Sequence, residues 1–279
     1  MNSGFNPAPA TILLADAWRA GRQLTELPEA IRPRSVSEGY EVQDLLFAEL
    51  DTKSAGWKLG VGSPLQKRQS GLGRAIAGRL LSSRLYSPND TVIVPNSAPV
   101  TIEFEIACVL GRDISPTEAD FPLLDAVAEY RVAFELVLSR FTDRRAVGWP
   151  SFAADNAGFE ALVLGSSVEW ACISDLVATL LVTCDGKDAA RSMSGGYVSN
   201  PIEALTDLVA IARERGWPMR EGNIISTGTV SKPFDIAAKA ADVKATFLGD
   251  ELAFRLQRAP IQGHCKAGGL YEASGKHSV

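Results

Sequence analysis

From Thr91 onward the chain is built of short segments rich in Val, Ile, Phe and Leu, and segments of that kind cannot stand alone. A lone extended strand leaves its backbone N–H and C=O groups unpaired, so several of them must pair into sheets. The pattern predicts strands over residues 91–94, 100–110, 131–141, 159–164 and 180–185. It predicts further strands over 224–226, running into Thr227-Gly228-Thr229, and over 242–247 and 251–256. Helical spacing comes earlier, over 9–26 and 37–50, with Ser35 and Glu38 placed to form a capping box for the second. Helix returns over 123–129 and 201–215, where Pro201 suits a first turn, Gly216 with Pro218 suits a stop, and an amphipathic face is expected to pack on a sheet. Helices first and then mostly strands, with no internal repeat, no P-loop and no G-x-G-x-x-G opening a helix, predict an α+β fold rather than an alternating βαβ wind.

Composition narrows the function. At 279 residues, 46% apolar and 22% charged, the chain has ample material for a core, which excludes intrinsic disorder. The organisation reads as a helical and pocket-wall portion over 1–90, a β-rich catalytic portion over 91–258 and a tail over 259–279. Between 51 and 88 the chain is Gly-rich and basic, expected as loop with short strands forming a pocket wall. With 28 basic and 33 acidic residues, a net charge of −5 and no basic block, it lacks the electrostatic footprint that nucleic acid or an anionic membrane requires. Cys108, Cys172, Cys184 and Cys265 show no C-x-x-C pairing and read as reduced thiols. The first ten residues lack the pattern of a signal peptide and no stretch approaches the roughly 18 apolar residues of a membrane span, so a cytoplasmic protein is expected. The two histidines, His264 and His277, both lie in the polar tail. Chemistry in the body of the chain therefore falls to carboxylates and lysine.

Those carboxylates stand out in two strands. In Thr101-Ile102-Glu103-Phe104-Glu105-Ile106, Glu103 and Glu105 point to one face and Ile102, Phe104 and Ile106 to the other. If the glutamate face is solvated, the pair is ordinary surface, the reading that periodicity alone favours. If it is covered, two like charges require a cation between them. In Val132-Ala133-Phe134-Glu135-Leu136-Val137, Glu135 sits amid a nearly continuous apolar run. It is either an edge-strand carboxylate paired with Arg131 or Arg140, or a third oxygen ligand completing a site with Glu103 and Glu105. Three carboxylates without histidine or thiolate select a hard ion, Mg²⁺ or Mn²⁺.

Weaker features accompany them. Gly56-Trp57-Lys58-Leu59-Gly60 brackets a lysine with glycines that leave room for a ligand at the backbone, although a surface lysine fits equally. Asp155-Asn156 fits an Asx turn as well as a site. Thr227-Gly228-Thr229 either presents hydroxyls to a carboxylate or ends a strand.

In this order, these segments resemble the hydratase/decarboxylase branch of the fumarylacetoacetate hydrolase superfamily, which contains 2-hydroxypenta-2,4-dienoate hydratases and 4-oxalocrotonate decarboxylases. The resemblance runs from about Pro9 to Leu256. It is carried by Lys58-Leu59-Gly60 with Ser63-Pro64 and Gln66, the Glu103/Glu105 strand, Phe134-Glu135 with Ser139-Arg140, Ala154-Asp155-Asn156-Ala157, and Gly222-Asn223-Ile224-Ile225-Ser226-Thr227-Gly228. It implies the superfamily's β-rich mixed roll with an N-terminal helical portion. It also implies that Glu103, Glu105 and Glu135 bind the divalent ion while Lys58 faces it across a pocket closed by the N-terminal helices. Ser139, Asp155, Thr227 and Thr229 are the implied substrate contacts.

The activity implied is that of a metal-dependent lyase, a hydratase in aromatic-compound catabolism. Its substrate would be a small 2-keto or 2-hydroxydienoate acid, chelated through its carboxylate and adjacent oxygen and activated as a cation-stabilised enolate. Hydratases of the family carry acidic residues shortly before the Gly-x-Leu segment, whereas here Gly71-Leu72-Gly73-Arg74-Ala75-Ile76-Ala77-Gly78-Arg79-Leu80 has none. That departure keeps two alternatives open: a 4-oxalocrotonate-type decarboxylase, or a non-catalytic stabilising subunit of a hydratase/decarboxylase complex. The hydrolase branch uses a histidine that this N-terminal region lacks. By family analogy a homo-oligomer is expected, with a hetero-complex with a paralogue as the other arrangement.

Overall fold

The computed structural model describes residues 4–118 and 120–260; two α-helices open the chain, but further helices are interspersed among the strands rather than preceding them. The N-terminal portion holds α1 (Ala8–Arg19), α2 (Val36–Glu49), β1 (Ser54–Gly60), α3 (Pro64–Ser70), β2 (Ile76–Leu81) and β3 (Leu85–Tyr86). There follow β4 (Thr91–Val94), β5 (Val100–Leu110), β6 (Val127–Val137), α4 (Gly148–Ala154), β7 (Phe159–Val168) and α5 (Ile173–Thr179). The chain continues with β8 (Leu181–Cys184), β9 (Lys187–Arg191), α6 (Pro201–Arg215), β10 (Ile224–Thr229), β11 (Phe234–Ile236), β12 (Ala240–Phe247) and β13 (Asp250–Arg258). This is the expected α+β, β-rich arrangement.

The strands form two sheets. One has eight strands in the order β2-β1-β10-β5-β6-β7-β3, with β11 pairing β5; the other runs β4-β13-β12-β8-β9. Pairing is mixed: β1 with β10, β3 with β7 and β4 with β13 are parallel, and the other pairs are antiparallel. Through the β1–β10 pair, the strands of the 1–90 portion share a sheet with those of the 91–258 portion.

The main core lies between the sheets. Ile102, Phe104 and Ile106 of β5 and Val132, Phe134 and Leu136 of β6 pack with Val243, Ala245 and Phe247 of β12 and Leu252, Phe254 and Leu256 of β13. Alternation commits one face of β5 and β6 to this core and turns Glu103, Glu105 and Glu135 to the other. Helix α6 extends that core along the same face of the sheet, packing Leu205, Leu208 and Ile211 with Cys108 and Ile225, as its amphipathic pattern predicts. Helices α1 and α2 form a separate cluster with Phe141 and Ala154, against α4.

Several local expectations change. The first helix stops at Arg19 rather than 26, because Gly21 turns the chain at φ +58°. Residues 123–129 do not form an α-helix: a 3₁₀ turn over Leu123–Ala126 gives way to β6, whose Val127 already pairs Leu110. So short a helical run has little strength against strand pairing. The strand expected over 131–141 lies at Val127–Val137 instead. The 51–88 segment holds a helix, α3, with Pro64 in its first turn and a full capping box between Ser63 and Gln66. Residues 261–279, with Cys265, His264 and His277, lie outside the described residues. Among the described residues Cys108, Cys172 and Cys184 are free, and no helix is long and apolar enough to cross a membrane.

Phe134 is fully buried with edge-on contacts to Phe104 and Phe254, both at 5.3 Å between ring centroids, so it joins the two sheets. Phe134→Ala is expected to cost about 3–5 kcal/mol in urea unfolding. A loss below about 1 kcal/mol would contradict this packing.

Candidate active site

The site begins with strand register. In the β5–β6 pair Glu103 stands directly opposite Glu135, and Glu105 follows two residues along, on the same face. Three carboxylates thereby converge, with one oxygen of each within 4.8 Å of the others. Glu105 and Glu135 are completely buried and Glu103 is partly exposed. The glutamate face is therefore covered rather than solvated, and β6 is an interior strand between β5 and β7. Neither Arg131 nor Arg140 pairs with Glu135: Arg131 bonds the Gly165 carbonyl and Glu129, and Arg140 bonds Asp155.

Like charges opposed across strands are destabilising, and burial strengthens the repulsion. Burial pushes the Glu105 carboxyl well above the ordinary range, with repulsion from Glu135 and Glu103 adding to it. Glu135 is raised by burial as well, against the opposing pull of Lys58. Part of the charge is met locally. Ser226 Oγ donates to Glu105 Oε2, and the Gly228 N–H lies 3.2 Å from the same oxygen. A register shift between Ser226 and Thr229 aims both donors there, and it needs the φ of +93° that Gly228 adopts. Glu105 Oε1 and Glu135 Oε2 remain buried with no hydrogen-bond partner.

Lys58 provides the cation on the protein side. It lies on β1 and is 2% exposed, so the surface-lysine alternative fails. Its Nζ sits 2.9 Å from Glu135 Oε1 and donates to the Ala157 carbonyl at 3.1 Å. That carbonyl belongs to a turn in which Asn156 and Ala157 both take positive φ, 52° and 50°. The Asn156 side chain holds the turn in place, accepting from Arg79 N at 2.6 Å and donating to Arg79 O at 2.9 Å. The glycines around Lys58 divide their duties. Gly60 borders a cavity, whereas a side chain at Gly56 would strike the Ile224 carbonyl, so that glycine admits strand β10 rather than a ligand.

Lys58 and Glu103 line a cavity of about 510 Å³, with Gly60 and Gln66, Trp149 and Phe152 of α4, and Thr229. A second hollow of about 630 Å³ has Glu203 as its one charged residue. The cavity wall is built by α3 and α4 rather than by α1 and α2, which pack behind α4. Among the residues expected to touch substrate, Thr229 reaches the wall while its hydroxyl is engaged with the Phe104 and Ser231 carbonyls. Thr227 is buried on the Ile106 carbonyl. Ser139 and Asp155 bond one another, Ser139 Oγ donating at 2.7 Å, and Asp155 forms an ion pair with Arg140. These last three hold the backbone beneath the site and do not line the cavity. The wall also carries Arg144, Arg145, Trp149 and Phe152, which sequence reasoning passed over. The one local signal for them is the turn chemistry of Asp143, whose carboxylate accepts from Arg145 N at 2.9 Å and Ala146 N at 3.2 Å.

Comparison with known proteins agrees with this architecture. The family model described as fumarylacetoacetate (FAA) hydrolase C-terminal matches residues 80–259. The 2-keto-4-pentenoate hydratase of Paraburkholderia phymatum is 30% identical over 233 residues, covering 82% of this chain and 88% of that protein. A 4-oxalocrotonate decarboxylase of Pseudomonas sp. is 27% identical over 202 residues, covering 71% and 77%. Among solved structures, the 4-oxalocrotonate decarboxylase from Pseudomonas putida G7, complexed with magnesium and adipate, superposes with a TM-score of 0.74 at 19% identity, covering 89% of this chain and 98% of that one. The sheets, the carboxylate-bearing strand pair and these matches together place the chain in the fumarylacetoacetate hydrolase family.

Proposed function

We propose that this chain is a divalent-metal-dependent lyase, a hydratase that adds water to a small unsaturated 2-keto or 2-hydroxydienoate acid in aromatic-compound breakdown. The observation that carries the reading is the buried carboxylate cluster: three glutamates converge beside a buried lysine, with Glu105 Oε1 and Glu135 Oε2 unpartnered. Two buried carboxylate oxygens without donors are costly unless a cation meets them. The donor set is all oxygen, which suits Mg²⁺ or Mn²⁺ and not a metal that prefers nitrogen or sulfur. Glu103, Glu105 and Glu135 would hold the ion, which when bound supplies Lewis-acid stabilisation of charge developing on a substrate oxygen. The relatives named as 2-keto-4-pentenoate hydratases, including the one from Paraburkholderia phymatum, support the reaction class.

The chain's own groups have separable roles. Lys58, held by Glu135 and the Ala157 carbonyl, fixes an ammonium at the cavity wall, where it stabilises negative charge on the acid or delivers a proton. Trp149 and Phe152 give the carbon chain an apolar surface. A 4-oxalocrotonate-type decarboxylase is the second reading, favoured by the absence of a carboxylate between residues 71 and 80 and by the decarboxylase relatives.

Glu105→Gln and Glu135→Gln are expected to lose Mg²⁺ affinity and turnover together, at least tenfold each, by calorimetric titration and loss of dienol absorbance. Full activity in either variant would remove the cluster from the mechanism. Lys58→Ala is expected to retain the metal while kcat falls by about 10²–10³. Unchanged turnover would make Lys58 structural.

The raised carboxyls also set a pH dependence. A folded-state value above the unfolded one means that the native chain holds these protons more tightly, a stabilisation present at low pH and lost as pH rises through the folded value. The metal-free protein is therefore expected to melt at progressively lower temperature as pH rises above the ordinary glutamate range of about 4.3, and Mg²⁺ to stabilise it more at pH 8 than at pH 5. A Mg²⁺ stabilisation that shrinks as pH rises would contradict the assignment.

A further inference from the structure

One hydroxyl on the cavity wall has no partner inside the protein. Ser199 lines the cavity and is only 3% exposed, yet its Oγ makes no hydrogen bond to any of the described residues. Its backbone is pinned on both sides. The Ser199 N–H donates to the Thr229 carbonyl at 3.2 Å, and the next residue, Asn200, caps α6 by accepting from Ile202 N at 2.9 Å and Glu203 N at 3.2 Å. The side chain is seated against the bulge of β10, where a Cβ on Gly228 would stand 2.5 Å from Ser199 Oγ. Gly228 thus leaves room for the hydroxyl while its own N–H reaches Glu105. The free hydroxyl therefore packs on the residue that binds the carboxylate cluster.

The other polar groups of the wall are engaged or of another kind. Thr229 Oγ1 is taken up by the Phe104 and Ser231 carbonyls, Ser70 Oγ donates to the Lys67 carbonyl at 3.0 Å, and Gln66 Oε1 accepts from Ser63 N at 3.2 Å. Lys58, Arg144 and Arg145 offer N–H donors and no acceptor, Glu103 belongs to the carboxylate cluster, and Gln69 is exposed. A serine hydroxyl both donates and accepts, which is what holds a water with one lone pair aimed at a carbon atom. Ser199 also borders the second hollow, and among the described residues it alone lines both spaces. Solvent can therefore meet this residue from a side that an acid in the first cavity does not fill.

We propose that Ser199 is a catalytic residue whose Oγ holds the water that is added to the substrate. This rests on the hydratase reading above and assigns to it the group that places the second reactant. Hydration of a 2-hydroxydienoate divides into two parts. In the first, the enol O–H proton is lost and a proton is gained at C5, giving the 2-oxo-3-enoate without consuming water. In the second, the oxygen of a water bonds C4, its proton goes to C3 and the double bond between these carbons becomes single. Ser199 acts in the second part alone, orienting the water and ending as it began.

The test uses the Mg²⁺-loaded full chain in D₂O with 2-hydroxypenta-2,4-dienoate, corrected for the reaction without enzyme. Loss of dienol absorbance and deuterium gained at C5 follow the first part; NMR of the product bearing a hydroxyl at C4 follows the second. Ser199→Ala is expected to keep the first part within about twofold of the wild type while formation of the hydrate falls about 10–100-fold through kcat, so that the 2-oxo-3-enoate accumulates. Because the hydroxyl has no partner in the protein, the variant is expected to keep the Mg²⁺ affinity and melting temperature of the wild type. An unchanged rate of hydrate formation, equal slowing of the two parts, or a rise in KM alone would overturn the proposal, the last by making Ser199 a contact of the acid. A fall in Mg²⁺ affinity or melting temperature that matches the lost activity would overturn it by making Ser199 structural. If the wild type itself forms no hydrate, the hydratase reading fails and the proposal with it; each of the other adverse results falls on Ser199 alone.

Discussion

Glu103 and Glu135 face one another across β5 and β6, and the strands cannot turn them away, because the residues on the opposite face are locked into the core between the sheets. Rotating either strand to release a carboxylate would expose Phe104 or Phe134, each fully buried. Burial of Phe-sized side chains is worth about 1.5–3 kcal/mol apiece, and several act together in this face. The inter-sheet core thus holds in place a repulsion that an isolated strand pair would relieve. Much of the surrounding structure answers that repulsion: the bulge that aims Ser226 and Gly228 at Glu105, the burial of Lys58 against Glu135, and the strained Asn156-Ala157 turn that gives Lys58 its carbonyl.

The turn itself depends on a second buried charge system. Arg140 binds the Asp155 side chain and backbone carbonyl and the Phe159 carbonyl, stacks at 3.8 Å on Trp18 of α1, and lies 3.6 Å from Glu160, which Arg84 also engages. Buried ion pairs of this kind add little net stability over an apolar replacement, but removal of one partner leaves a charge stranded. Their effect here is geometric. They fix both ends of the segment from Ser139 to Phe159, which carries Arg144, Arg145, Trp149 and Phe152 to the cavity and Ala157 to Lys58. Asp155 and Ser139, expected at the substrate, act one layer further out.

What could be read from the chain follows the range of the forces involved. Strand β5 was legible to the residue because Glu103 and Glu105 alternate with Ile102, Phe104 and Ile106, a period-two signal contained in the segment itself. The same alternation is silent about whether the glutamate face is covered, which is decided by Lys58 and by Trp149 and Phe152 of α4, from distant parts of the chain. Periodicity alone therefore favoured solvent, and the family resemblance pointed the other way. Helix α3 had its signals in Ser63, Pro64 and Gln66, but seven residues give too few turns for a periodic pattern to show. At 123–129 a local helical tendency lost to pairing between Val127 and Leu110, an interaction invisible in the segment. Arg144 and Arg145 gave no signal because two arginines in a loop read as surface, and only the fold brings that turn to the cavity wall.

These ranges also explain why the carboxylate cluster and the arginine pair differ in character. The carboxylates sit on strands whose other face is core, so their spacing cannot drift without unpacking both sheets. The arginines sit on a turn held by Asp143 and by the start of α4, where a change of side chain disturbs little packing. The rigid strand pair therefore fixes the carboxylates, and the turn is the part of the cavity wall where side chains can change at little cost to the core. On this chain the turn presents guanidinium groups, whose replacement would leave the carboxylate-bearing face of β5 and β6 as it is.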